Sequence, residues 1–196
     1  MKIIGLTGSF GTGKTFAASV FGKLGAKILD ADRIAHEVIR KGTPAYKKIV
    51  ALFGGGILDK NGRIDRKKIA GIVFEDKGNI ERLNRITHPA VIKIIKEKIG
   101  KCRAVDIVVI DAPLLIEANL TGIVDKLVVV KTSQSKQIER CISKFCMDKK
   151  GVLKRIGKQM SLKEKVKLAD FVIDNNGTKF ETVIQVKKIW EEIVWK

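Results

Sequence analysis

Hydrophobic positions along this chain follow two rhythms. Short runs dominated by apolar residues alternate with longer stretches in which apolar side chains recur at three- and four-residue spacing. The short runs, Lys2 to Thr7, Ala26 to Leu29, Val105 to Ile110, Lys126 to Val130 and Phe171 to Ile173, predict five strands. They do not alternate apolar with polar, so both faces of each strand are expected to be covered. With helical stretches between them, the runs predict a parallel sheet joined by right-handed crossovers. The expected fold class is α/β, in three layers around a parallel five-stranded sheet.

Helix signals fill the intervals. Lys14 to Leu24 carries apolar residues at helical spacing. Thr43-Pro44 places a cap before a first-turn proline, and Ser161-x-x-Glu164 and Thr178-x-x-Glu181 have capping-box spacing. From Phe180 through Val183, Ile184, Trp190, Ile193 and Val194 the apolar side chains fall on one face, which reads Trp190 as core packing. Residues 33–104 form a mainly helical stretch too long for a crossover, broken at Gly54-Gly55-Gly56 and Lys60-Asn61-Gly62, and are expected to be an inserted substrate-binding subdomain. Lys136 to Lys167 holds 11 Lys or Arg against Glu139, Asp148 and Glu164, a surplus of 11 − 3 = +8. That segment reads either as a solvated helix face or as a lid over about 136–160 that closes on an anion.

Composition bounds the class. At 196 residues the chain is sized for one domain with an insertion and a lid, and 45% hydrophobic with 31% charged residues excludes disorder. The longest uncharged stretch, Ile3 to Gly13, has 11 residues, well below the roughly 20 of a membrane span, so a soluble protein is expected. No secretion signal is read at the start, and three cysteines, Cys102, Cys141 and Cys146, without a C-x-x-C spacing fit reduced thiols in a cytoplasm. The net charge of +18 attracts polyanions, whether nucleic acid or phosphorylated small molecules.

Gly8-Ser9-Phe10-Gly11-Thr12-Gly13-Lys14-Thr15 is a complete G-x-x-x-x-G-K-[ST] motif between a predicted strand and a predicted helix. Such a loop turns successive amides inward and adds the positive end of a helix, which makes a phosphate nest. Gly11, Thr12, Gly13, Lys14, Thr15 and Phe16 are therefore the expected ATP-binding residues, with Lys14 on the β and γ phosphates and the Thr15 hydroxyl on Mg²⁺. This makes the expected fold a P-loop NTPase. Asp59-Lys60-Asn61-Gly62 matches D-x-x-G but sits in a predicted turn, and no N-K-x-D motif occurs, which argues against a GTPase. Asp30-Ala31-Asp32 follows the second strand at the carboxyl edge of the sheet, where ligands bind in open α/β folds. Asp111 ends the third strand as a candidate second Mg²⁺ ligand or a plain turn residue.

Taken together, the P-loop, Asp30-Ala31-Asp32, Gly42-Thr43-Pro44-Ala45, Phe53-Gly54, His88-Pro89, Pro113-Leu114-Leu115, Gln137-x-x-Arg140, Arg155-Ile156-x-x-Gln159 and Asp174-Asn175-Asn176-Gly177 resemble the dephospho-coenzyme A kinase family over nearly the whole chain. The resemblance implies transfer of the ATP γ-phosphate to the ribose 3′-hydroxyl of dephospho-coenzyme A. It assigns the hydroxyl proton to Asp32, with Asp30 beside it, and gives Arg140 the phosphates. Arg155 would face phosphates or adenine, and Asn175 the adenine. His88 and Pro89 would frame the acceptor pocket, a helix-capping His before a first-turn Pro being the other reading. The resemblance also implies ATP and dephospho-coenzyme A as partners of a monomer or weak homo-oligomer, with no membrane or nucleic acid. The chain departs from the family at Ser9-Phe10, usually Gly-Ile, at Thr15, more often Ser, and at Lys144, usually Arg. A kinase of another small alcohol and a nucleic-acid-binding P-loop ATPase are the alternatives.

Overall fold

The computed structural model describes residues 1–104 and 106–194, the side chains of 74, 75 and 77 excepted. Contacts divide it into two units: Met1–Asp30 with Cys102–Lys196, and Ala31–Lys101.

The first unit is built on five parallel strands, β1 (Lys2–Thr7), β2 (Lys27–Asp30), β3 (Ile107–Asp111), β4 (Lys126–Lys131) and β5 (Phe171–Asp174), in the order β2-β3-β1-β4-β5. All five expected strands form, shifted by a residue or two at β2 and β3; Val105 lies outside the described residues. The inner strands β1, β3 and β4 are buried over most of their length, whereas the edge strand β2 leaves Ile28 exposed and β5 is mostly half-buried, so the expected two-sided cover holds at the centre of the sheet and not at its edges. Ile4, Leu6, Val109, Val128 and Val130 pack with Phe21 of helix α1 (Lys14–Lys23) and with Val186 and Ile189 of α9 (Lys179–Val194). Trp190 packs against this core, as its place on the apolar face of the last helix predicts. The register sets Asp30 beside Asp111 and Lys131 beside Asp174, so the carboxyl ends of the strands carry a row of ionisable groups.

Between β4 and β5 run α6 (Gln134–Phe145), α7 (Lys149–Ile156) and α8 (Leu162–Lys167). The capping box Ser161-x-x-Glu164 forms at α8, and Thr178 and Glu181 exchange the same pair of bonds at α9. No helix among the described residues is long and apolar enough to cross a membrane.

The second unit comprises α2 (Ala31–Val38), α3 (Pro44–Phe53), a short 3₁₀ turn at Gly55–Ile57, α4 (Arg66–Glu75) and the 24-residue α5 (Lys77–Gly100). Thr43 caps α3 ahead of Pro44, its hydroxyl accepting from the Tyr46 amide at 3.1 Å. Ile49, Ile57, Ile69 and Val73 form its core, with Ile80, Leu83 and Ile86 of α5 packed on them. One sequence reading is corrected here. Pro89 lies inside α5, so His88 and Pro89 do not start a helix. The apolar series Leu83, Ile86, Val91, Ile95 runs straight through the proline, and its burial outweighs the local start signal.

Candidate phosphate-binding site

The loop after β1 is shaped by backbone that only glycine accommodates easily. Gly11 and Gly13 sit at φ +82° and +87°, in the left-handed region. A Cβ on Gly11 would lie 2.9 Å from the Gln137 carbonyl oxygen, and one on Gly13 would collide with the Asn175 amide. Gly13 is also the residue from which α1 starts, and Lys14 and Thr15 form the first turn of that helix. Replacing Gly13 with Ala is expected to cost about 1–2 kcal/mol from backbone strain alone, and more from displacing Asn175. Thermal unfolding should show the destabilisation and calorimetric titration a weaker affinity for ATP.

The loop is clamped from outside. Gln159 accepts from the Phe10 amide at 2.8 Å and the Ser9 hydroxyl at 3.0 Å, and Gln137 donates to the Phe10 carbonyl at 2.8 Å. The Thr12 carbonyl accepts from Asn175 Nδ2 at 2.7 Å and from Arg140 at 3.4 Å. Arg140 donates also to the Asn175 carbonyl, at 3.0 Å. Asn175 is 6% exposed and its side-chain oxygen accepts from Thr182 at 2.9 Å. Both ends of its amide group are therefore engaged behind the phosphate loop, a placement different from the adenine contact that the resemblance implies.

Lys14 Nζ is paired with the Asp111 carboxylate, each side chain mostly buried. Thr15 is exposed one residue on, and Phe16 is half-buried against the core beneath. No group of three His, Cys, Asp or Glu among the described residues could hold a metal alone. Mg²⁺ needs no such cage, since it is commonly held by one or two protein oxygens together with substrate phosphates. The Thr15 hydroxyl and the Asp111 carboxylate are donors of that kind.

The basic segment is less uniform than its charge suggests. Lys165 is fully buried: its ammonium donates to the Pro113 carbonyl at 2.5 Å and pairs with Glu117 at 3.0 Å. Burial pushes its pKa below the ordinary lysine value, and the bond to Glu117 partly offsets this. Glu117 also accepts from the Met160 amide at 2.9 Å, next to the Gln159 that grips the loop. By charge count alone Lys165 is one of the 11 cations of the basic 136–167 segment. Its partners lie 48 and 52 residues earlier, so nothing local distinguishes it. Lys165→Met, which leaves Glu117 without its cation, is expected to cost about 3 kcal/mol, the low end for a broken buried pair because Glu117 is partly exposed. Lys165→Met with Glu117→Gln should recover part of that loss in denaturant unfolding.

The departure at Phe10 also finds partners. Its ring stacks on Phe145 with centroids 5.2 Å apart, and the Arg155 guanidinium lies over the Phe10 ring, 4.3 Å from its centre. Lys144 lies 5.5 Å from the Phe145 ring, so here it lines an aromatic pair.

Asp30 ends β2, while Asp32 is exposed in the first turn of α2 in the second unit. In that unit burial also pushes the half-buried His88 imidazole below its ordinary pKa. Asp59 confirms the turn reading of its D-x-x-G: its carboxylate accepts from the Asn61 and Arg63 amides at 2.8 and 2.9 Å, and those bonds hold its pKa down.

The family model described as dephospho-CoA kinase (CoaE) matches residues 2–181. A dephospho-CoA kinase of Aquifex aeolicus is 47% identical over 98% of this chain and 98% of its own. Among solved structures, TT1252 from Thermus thermophilus superposes with a TM-score of 0.86 at 27% identity, covering 98% of this chain and 97% of the other. A dephospho-CoA kinase from Campylobacter jejuni superposes with a TM-score of 0.71 at 27% identity, covering 99% and 98%.

Proposed function

Because the chain belongs to the dephospho-CoA kinase family, we propose that it transfers the γ-phosphate of ATP to the ribose 3′-hydroxyl of dephospho-coenzyme A, giving coenzyme A and ADP in the last step of coenzyme A biosynthesis. The observation that carries this reading is the clamped phosphate loop, with Gly11 and Gly13 in left-handed backbone and Lys14 held beside Asp111 at the head of α1.

The loop amides from Gly11 to Thr15 hold the phosphates, and Phe16 anchors the helix start to the core. Lys14 leaves Asp111 for the β and γ phosphates when the triphosphate arrives, so charge that builds on the transferred group meets a fixed cation. The Thr15 hydroxyl and the Asp111 carboxylate are the groups that would hold Mg²⁺, which would supply neutralisation of phosphate charge. Asp32 accepts the proton of the 3′-hydroxyl as its oxygen bonds to the γ-phosphorus and the bond to ADP breaks, with Asp30 as a supporting carboxylate. Arg140, fixed on two carbonyls at the loop, serves the phosphates from α6. Arg155 moves from the Phe10 ring toward the phosphates or adenine as the 136–160 segment closes and water leaves. His88 and Pro89 frame the acceptor from α5, and Asn175 acts as a strut for the loop. The surplus of positive charge serves two polyanionic small molecules in the cytoplasm rather than nucleic acid or membrane, in a monomer or weak homo-oligomer.

The test is ADP release with ATP, Mg²⁺ and a panel of alcohols. Turnover is expected with dephospho-coenzyme A well above that with shikimate, gluconate or free nucleosides. Preference for another alcohol, or ATP hydrolysis with no acceptor phosphorylated, would refute the assignment.

A further inference from the structure

Lys165 carries an ammonium with no access to solvent, and the phosphoryl transfer described above makes no use of it. Taking such a charge out of water is costly, and a buried ion pair is often no more stabilising than apolar side chains of the same volume. An ammonium does supply direction, because its three donors hold partners at set distances and angles. The role of Lys165 therefore lies in what it holds in place.

Two paths of contact run from it to the phosphate site. The first passes through Pro113, whose carbonyl accepts from Lys165 Nζ at 2.5 Å and from the Thr7 hydroxyl at 3.2 Å. Thr7 ends β1 directly before the phosphate loop, and Pro113 follows Asp111 by two residues at the end of β3. One carbonyl thus ties the entry to the loop to the segment after Asp111, the partner of Lys14.

The second path passes through Glu117. Its carboxylate accepts from Lys165 at 3.1 Å on one oxygen and from the Met160 amide at 2.9 Å on the other. The adjoining Gln159 accepts from the Phe10 amide at 2.8 Å and the Ser9 hydroxyl at 3.0 Å, within the loop itself. The Lys165 charge is also felt at Lys14 as a repulsion, which puts it within electrostatic reach of the phosphate lysine.

We infer that Lys165 is a positioning residue for the phosphate loop, acting through Glu117 and the Met160 amide on the grip of Gln159 at Ser9 and Phe10. The inference rests on the kinase reading above and adds to it a group that sets the loop's geometry without touching either substrate. Without the ammonium, Glu117 loses its anchor and residues 159 and 160 are free to shift. Gln137 still holds the Phe10 carbonyl at 2.8 Å, so the loop should tilt rather than collapse.

Calorimetry with ATP tests this. Gln159→Leu is expected to weaken ATP binding about tenfold by misplacing the loop. Lys165→Met, studied below its own unfolding transition, should weaken it by a comparable factor. Because both changes break one chain of contacts, the double variant should fall short of the product of the two effects by at least about threefold. KM for dephospho-coenzyme A should hold. Lys27→Met, which breaks the ion pair with Asp106 ahead of β3, measures the effect of lost stability alone and should leave ATP affinity unchanged. If Lys165→Met does not fold, Lys165→Met with Glu117→Gln, which strands no carboxylate, takes its place with the same expected result. Wild-type ATP affinity in the Lys165 variant, full multiplication of the two single effects, an equal rise in KM for dephospho-coenzyme A, or an equal loss in Lys27→Met would overturn the inference. ATP titration needs no acceptor, so these outcomes stand apart from failure of the kinase reading, which would show as a wild type that phosphorylates no dephospho-coenzyme A.

Discussion

Asp32→Asn is expected to abolish phosphoryl transfer while leaving ATP binding nearly intact. The substitution keeps size and shape but removes the group that takes the hydroxyl proton, and positioned general bases contribute about 10²–10⁴-fold to rate. Asp32 is exposed at the start of α2 and belongs to a different unit from the phosphate loop. The amide should therefore disturb neither the fold nor the nest around Lys14. Calorimetry should give an ATP affinity close to wild type, and single-turnover assays with dephospho-coenzyme A should give a rate lower by at least about 10²-fold. Wild-type turnover in the variant would remove Asp32 from its role. A matching loss of ATP binding would mean that the residue acts on the nucleotide side.

Lys14→Met should act on the opposite substrate. The methionine keeps most of the side-chain volume and removes the charge meant for the β and γ phosphates. Loss of one preorganised donor on developing charge costs about 10²–10³-fold in rate, and here ATP affinity should fall as well because the same ammonium holds the ground-state phosphates. Lys14 is paired with Asp111 in a mostly buried setting. The variant should therefore also unfold more easily, by about 1–3 kcal/mol for the loss of one mostly buried charge-assisted bond. Lys14→Arg separates the two effects: it keeps the charge and much of the stability but misplaces the cation, so stability should recover further than rate. Full activity in Lys14→Met would contradict the phosphate-nest assignment.

The elements that could be read from sequence are those whose causes are local. Parallel strands buried on both faces leave uninterrupted apolar runs such as Ile107-Val108-Val109-Ile110, and the sheet formed where those runs lie. The phosphate loop is legible because its left-handed positions demand glycine at Gly11 and Gly13. The caps at Thr43, Ser161 and Thr178 are legible because donor and acceptor lie three residues apart.

Long-range partnerships are a different matter. Lys165 carries the same charge as its exposed neighbours, and only Glu117 and Pro113 make it an interior residue. Asn175 lies next to a polar loop, yet Thr12 and Thr182 draw its amide inward. Arg155 and Phe10 meet across 145 residues of chain, so their contact leaves no periodic trace. At His88-Pro89 a local signal was present and lost to the apolar face of a helix that continues through it.

The central claim is a geometric one, that the hydroxyl to be phosphorylated is gripped by Asp32 while the triphosphate lies in the nest around Lys14. It is tested most directly by a crystal structure of the protein with a non-hydrolysable ATP analogue and dephospho-coenzyme A bound together. The distance to measure runs from the Asp32 carboxylate to the acceptor 3′-oxygen. The account predicts hydrogen-bonding contact, about 2.6–3.2 Å, with that oxygen facing the γ-phosphorus. An acceptor bound with its 3′-oxygen away from Asp32, or a nucleotide seated outside the loop, would contradict it.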